Sequence, residues 1–123
     1  SLVTEPGRID LQLDLSPVHL EIDQAIPCGL LVNELLSNSL KHAFPDRRSG
    51  TIRLSLLPVG DDDPRVCLRV GDTGVGLPPD FETLRAHSLG LQLVADLARQ
   101  IHGDMEISPA AGPGACFAIT FTP

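Results

Sequence analysis

Glu34, Asn38 and Lys41 put a carboxylate, an amide and a cation into one short stretch, Asn-Glu-Leu-Leu-Ser-Asn-Ser-Leu-Lys-His-Ala-Phe over residues 33–44. On a helix turning 100° per residue they fall at about 0°, 40° and 340°, one narrow arc of the surface. A helix packed on a core needs none of these groups. The arc therefore faces either plain water or a ligand that carries phosphate and metal, and the helix alone does not choose between them. Further along, Asp72-Thr73-Gly74-Val75-Gly76 follows a run of alternating apolar residues, and Ser88-Leu89-Gly90-Leu91 opens a second amphipathic stretch. Glycines directly after a strand let the backbone turn and approach a ligand without a Cβ clash. Free amides and the positive dipole end at a helix start favour an anion.

The elements that must position these groups follow from the apolar periodicity. Ile9, Leu11, Leu13 and Leu15 alternate, and after Ser16-Pro17 so do Val18, Leu20 and Ile22, which predicts two half-buried strands in an early hairpin. Asp23 then caps a helix with Pro27 in its first turn, where no intrahelical amide is lost. That helix runs to Ala43 or Phe44, and Pro45 ends it. Ile52, Leu54 and Leu56, an acidic turn at residues 60–64, and Val66, Leu68 and Val70 form a second hairpin. A short helix over residues 80–85 precedes a longer one over residues 88–102, with Leu89, Leu93, Leu97 and Ile101 as its core stripe and Gly103 as its stop. Met105 and Ile107, a turn at residues 110–114, and Phe117, Ile119 and Phe121 close the chain. Paired strands separated by two long helices predict an α/β (α+β) two-layer sandwich, its mixed, mostly antiparallel sheet covered by helices on one face.

The chain has 123 residues, 42% of them hydrophobic, enough for a single domain, 1–123. It begins at Ser1, as a domain taken from a longer protein would. No apolar run reaches the roughly 20 residues that cross a bilayer, and no secretory signal opens the chain, so a cytoplasmic domain without membrane contact is expected. A net charge of -7 speaks against a nucleic-acid surface, which needs clustered Lys and Arg. Cys28, Cys67 and Cys116 are far apart in apolar surroundings and read as buried thiols. Asp61, Asp62 and Asp63 read as a solvated turn rather than a metal site. No Gly-x-x-x-x-Gly-Lys-Ser/Thr loop occurs, which excludes a P-loop ATPase, and Pro79 occupies the third glycine position of a dinucleotide fingerprint.

Taken together, Asn-Glu-x-x-x-Asn-x-x-Lys-His, then Asp-x-Gly-x-Gly, then Ser-Leu-Gly-Leu, in that order, resemble the ATP-binding catalytic domain of a sensor histidine kinase. This is the superfamily shared with gyrase, the heat-shock chaperone ATPase and mismatch-repair ATPases. The resemblance runs from about Ile9 to Pro123 and implies a Bergerat ATP-binding fold. Lys41-His42-Ala43-Phe44-Pro45 is similar to the short-lid subgroup related to HWE kinases. The chain has no Trp, so the Trp-x-Glu element naming that group is absent and the chain stands beside it.

The resemblance implies ATP and Mg²⁺ as ligands. It gives Asn38 the metal, Lys41 phosphate oxygens, and Glu34 either a general-base role or a place in the metal's water shell. His42 either touches phosphate or packs. Asp72 accepts a hydrogen bond from the adenine amino group, Gly74 and Gly76 bring the backbone to the base, and Ser88, Leu89, Gly90 and Leu91 face phosphate. Residues 77–87 form a short lid with Arg85 as its cation, expected to be mobile without nucleotide. Many relatives support the adenine-binding carboxylate with a threonine after the last glycines; here Ala115 and Cys116 follow Gly114.

The implied reaction is transfer of the γ-phosphoryl group to a histidine on a separate dimerisation domain of the same protein, with a response regulator as the later, indirect partner. On this reading His19, His42, His87 and His102 are poor phosphoacceptors, and the isolated domain does not autophosphorylate. The alternatives are a non-catalytic nucleotide-binding or interaction module, an anti-sigma-type serine kinase, and an ATP-driven clamp, which would need a longer lid and a transducer domain.

Overall fold

A computed structural model describes residues 8–110 and 112–123; residues 1–7 of the expected domain and Ala111 of the expected turn lie outside the described residues. The elements are β1 (Ile9–Leu15), α1 (Ile22–His42), β2 (Gly50–Pro58), β3 (Val66–Asp72), α2 (Phe81–Ala86), α3 (Leu89–Gln100), β4 (Asp104–Pro109) and β5 (Ala115–Phe121). The strands form one sheet in the order β1-β2-β3-β5-β4. Pairing is parallel between β1 and β2 and antiparallel elsewhere. This is the mixed α/β sandwich expected.

Register explains where the core sits. Leu54, Val70, Phe117 and Ile107 form one row across the sheet, and Leu56, Leu68, Ile119 and Met105 the next. Leu31 and Leu35 of α1 and Val94, Leu97, Ala98 and Ile101 of α3 or its cap pack on those rows. Because side chains alternate along a strand, Asp72, two residues beyond Val70, points to the same helix-covered side. It is paired with Ile52 and is 8% exposed. A carboxylate has thus been carried to the rim of an apolar core by strand periodicity alone.

Several expectations change. Residues 18–21 form no strand, and β1 joins no hairpin. Ser16 N–H continues the parallel ladder to Leu56 O at 2.9 Å, and Pro17 then offers no donor. Val18 and Leu20 alternate because they pack against the core, not because they pair. The helix α1 is the crossover that a parallel pair requires.

That helix starts two residues early. Glu21 is its N-cap, without a side-chain cap bond, Asp23 lies in the first turn, and Pro27 is a buried residue of the helix interior. Its last helical residue is His42, with Ala43 as C-cap.

The third change concerns α3, where Leu97 and Ile101 are buried but Leu89 is 83% and Leu93 41% exposed. Steps of four overshoot a turn by roughly 40° each, so a stripe drawn through four such residues leaves the core side. Val94 and Ala98, which the sequence places beside that stripe, are buried as expected and complete the face. The stop also shifts: His102 takes the left-handed conformation at φ 53°, while Gly103 N–H donates back to Ala98 O at 2.9 Å.

The helix α2 runs one residue later than expected. Cys28 and Cys67 are buried and Cys116 is partly so, all as free thiols; burial pushes the Cys28 thiol up. Among the described residues, no helix is long and apolar enough to cross a membrane.

Candidate functional site

Between the C-terminal half of α1, the end of β3, the start of β5 and residues 77–88 lies a cavity of about 740 Å³, within the usual range for small-molecule sites. Asn38, His42, Asp72, Gly76, Ser88 and Leu91, all singled out from the sequence, line it. Its remaining walls are largely apolar, with Val75, Phe81 and Phe117 prominent. Phe81 of the lid meets Phe117 edge-on, ring centroids 6.4 Å apart, which seats the short α2 against the sheet.

At one end stands Asp72. Its Oδ1 accepts from Gly74 N–H at 2.9 Å and from Ala115 N–H at 3.3 Å, and the Ser39 hydroxyl is 3.5 Å from Oδ2. No arginine, lysine or histidine forms an ion pair with it among the described residues. A buried carboxylate with hydrogen-bond donors but no countercharge keeps acceptor capacity for a donor from outside.

The glycines around it are there for close approach. A Cβ on Gly114, at φ 113°, would lie 1.9 Å from the Asp72 carbonyl oxygen. One on Gly74 would lie 2.1 Å from the Ala43 carbonyl, to which Val75 N–H donates at 2.9 Å. Gly74 therefore fastens the loop to the end of α1 and is not on the cavity wall, whereas Gly76, at φ 81°, is.

Other predicted residues converge on the start of α3. The position a Cβ would take on Gly90 is 3.2 Å from Glu34 Oε2, 3.7 Å from Asn38 Oδ1 and 4.0 Å from Ser88 Oγ. Ser88 caps the helix, its Oγ accepting from Leu91 N–H at 3.2 Å. The Asn38 Nδ2 is buried with no hydrogen-bond partner, a costly condition that a ligand relieves. Lys41 and Leu89 are exposed and off the cavity wall. The Arg85 guanidinium lies 3.6 Å from Glu82.

The sequence reading passed over Ser39, which sits on the apolar arc of α1, and the structural weight of Phe81 and Phe117. It considered His87 only as a phosphoacceptor; with His42 it supplies the basic side chains of the wall. A hydroxyl on the buried arc was a legible signal. The amide of Ala115 was not, because a backbone donor leaves no trace in residue type.

A carboxylate at the end of a central strand, an amide-bearing helix above it and a capped helix start opposite define an ATP-binding α/β sandwich, with the ligand space between helices and sheet. The chain belongs to the family of histidine kinase-, DNA gyrase B- and HSP90-like ATPases, matched over residues 23–123. It is 31% identical over 102 residues to Blue-light-activated histidine kinase 2 of Erythrobacter litoralis, covering 83% of this chain and 29% of that protein. Similarity to the sensor histidine kinase PdtaS of Mycobacterium tuberculosis is 30% over 115 residues, 91% of this chain and 22% of the relative. Among solved structures, the histidine kinase domain of the Erythrobacter litoralis EL346 blue-light activated kinase superposes with a TM-score of 0.81 at 30% identity, over 94% of this chain and 52% of that one. The mycobacterial sensor histidine kinase MprB shares the fold at 21% identity, with a TM-score of 0.71 over 93% of this chain and 83% of that one. The chain spans less than a third of the length of those two sequence relatives.

Proposed function

We propose that this domain binds Mg²⁺-ATP and supplies its γ-phosphoryl group to a histidine on a separate helical dimerisation domain. The observation that carries the proposal is Asp72, a buried, uncompensated carboxylate on the wall of a nucleotide-sized cavity. Adenine offers an amine to such an acceptor, while guanine offers a carbonyl at the same place. The apolar walls suit the faces of a purine.

The polar corner at the start of α3 suits the phosphates. Free amides at the N-terminus of a 12-residue helix favour an anion, and Ser88 and His42 add donors on the same wall. The donor set there fits Mg²⁺: Asn38 offers an uncharged oxygen, Glu34 a carboxylate beside it, and the unpartnered Asn38 amide gains an acceptor when phosphate or water fills the corner. When bound, the ion neutralises charge on the phosphoryl oxygens. Asn38 would hold it, with Glu34 either in its water shell or taking the proton of the attacking imidazole. The accepting nitrogen forms the new P–N bond as the bond from the γ-phosphorus to the bridging oxygen breaks and ADP leaves. Lys41 reaches phosphate only by swinging in from its exposed position.

The test has two parts. Calorimetry of the chain with Mg²⁺-ATP should show saturable binding; no heat at millimolar nucleotide would leave only a non-nucleotide interaction module. Joined to its histidine-bearing domain, the protein should then acquire an acid-labile, base-stable phosphate. An acid-stable phosphate would instead mark a serine kinase on the same fold.

A further inference from the structure

Ser39 occupies a position where packing alone gives no reason for a hydroxyl. It lies on the buried arc of α1, four residues beyond Leu35, and is 7% exposed. Alanine would fill the space and is the better helix former. The hydroxyl instead lines the cavity and faces Asp72 Oδ2 at 3.5 Å, longer than the roughly 2.7–2.8 Å of an ordinary O–H···O bond.

The donors around Asp72 are unevenly divided. Both backbone amides, from Gly74 and Ala115, meet Oδ1, and Ser39 is the only donor to Oδ2 among the described residues. The two amides restrain the carboxylate plane only as tightly as they hold Oδ1, and with the Ala115 bond at 3.3 Å and the terminal torsion of aspartate broad, a donor on Oδ2 narrows the swing that remains. On the β5 side, residue 115 brings a backbone amide and a methyl group, so no second hydroxyl is present there.

We propose that Ser39 is a positioning residue that sets the plane of the Asp72 carboxylate, and through it the preference of the site for adenine over guanine. The proposal rests on the reading of Asp72 as the base-recognising group. A carboxylate held in plane presents Oδ2 to the adenine amine and repels the guanine carbonyl. One that can turn loses part of the first interaction and evades part of the second, so selectivity falls along with affinity.

The experiment is calorimetric titration of the chain with adenosine, ATP and GTP, for wild type, Ser39→Ala, Ser39→Thr and the double variant Ser39→Ala/Ala115→Ser, with circular-dichroism melting as the check of folding. Ser39→Ala should weaken adenosine and ATP about five- to tenfold, below the full range of a hydrogen bond to a charged group because the contact is 3.5 Å long, and narrow the ATP-to-GTP ratio by a similar factor. Ser39→Thr should stay within about twofold of wild type, and Ala115→Ser should restore most of the ratio by supplying a hydroxyl from β5. Equal losses for ATP and GTP in Ser39→Ala, or an unchanged ratio, would overturn the positioning role while leaving the nucleotide site intact. A wild-type chain that binds neither nucleotide would overturn the site reading itself.

Discussion

Two aspartates in this chain are each held by hydrogen bonds, and they are held in opposite ways. Asp63 sits in the exposed turn between β2 and β3. It accepts from the Arg65 backbone at 2.9 Å and from the Arg65 guanidinium at 2.8–3.3 Å, which lowers its carboxyl to about 2. Everything it needs comes from a cation two residues away, and water completes the rest. Asp72 is buried, has no cation paired with it among the described residues, and draws its donors from Gly74, from Ser39 33 residues earlier and from Ala115 43 residues later. Counting hydrogen bonds would rank Asp63, with four, above Asp72, with three. What separates a ligand site from a satisfied surface group here is burial without a countercharge, because only then does an incoming donor gain from binding.

The largest effect expected from breaking that contrast is at Asp72. Asp72→Asn should weaken adenine-nucleotide binding roughly ten- to hundredfold, the equivalent of about 1.5–3 kcal/mol. Measured by calorimetry in EDTA, the loss should exceed that of Asn38→Asp, whose proposed role belongs to the metal; equal losses would mean the base and metal roles are misassigned. Next comes Gly114→Ala, which forces a Cβ against the Asp72 carbonyl at φ 113°. It should cost about 1–3 kcal/mol in denaturant unfolding, a strain confined to the Asp72 side. Gly90→Ala should be gentler, since the added methyl is tight only against the end of the Glu34 side chain at 3.2 Å and in ordinary contact with Asn38 and Ser88. Mg²⁺-ATP affinity should fall several-fold while adenosine affinity holds, and a matched loss of both would place Gly90 near the base.

Smallest is Asp63→Asn, which should leave nucleotide binding unchanged. The lowered carboxyl contributes stability that is present above the ordinary value near 3.8 and is lost as pH falls through about 2. The variant should therefore differ slightly from wild type at neutral pH and converge with it near pH 2 in thermal melts. The pair is exposed, and its screening keeps the difference small.

Much of this was legible because periodicity reports which residues share a face, though not whether that face is covered: Leu11, Leu13 and Leu15 alternate on β1 as a half-buried strand would, yet each is more than half exposed. The rows through Val70 and Phe117, the two late hairpins and the polar arc of Glu34 and Asn38 all follow from it. It does not report pairing. Val18 and Leu20 alternate like a strand yet carry no ladder, and the parallel partner of β1 lies across a 21-residue helix. Nor does it locate a side chain that falls between two faces: Lys41 is one residue from His42 on α1, and only His42 reaches the cavity. Two of the groups around Asp72 were beyond residue type altogether, the backbone amides of Gly74 and Ala115, whereas Ser39 is a polar residue on the buried arc of α1 and was open to reading.

The spread of the Asp72 donors along the chain also bears on how the protein folds. Only the Gly74 amide is local; the full setting of the carboxylate exists only after α1 has crossed over to make β1 and β2 parallel and β5 has zipped onto β3. Contacts of such long sequence separation close late. Substitutions at Ser39 or Ala115 should accordingly speed unfolding in stopped-flow chevrons and leave the refolding arm nearly unmoved, which would make the proposed base recognition the last property gained on refolding and the first lost on opening.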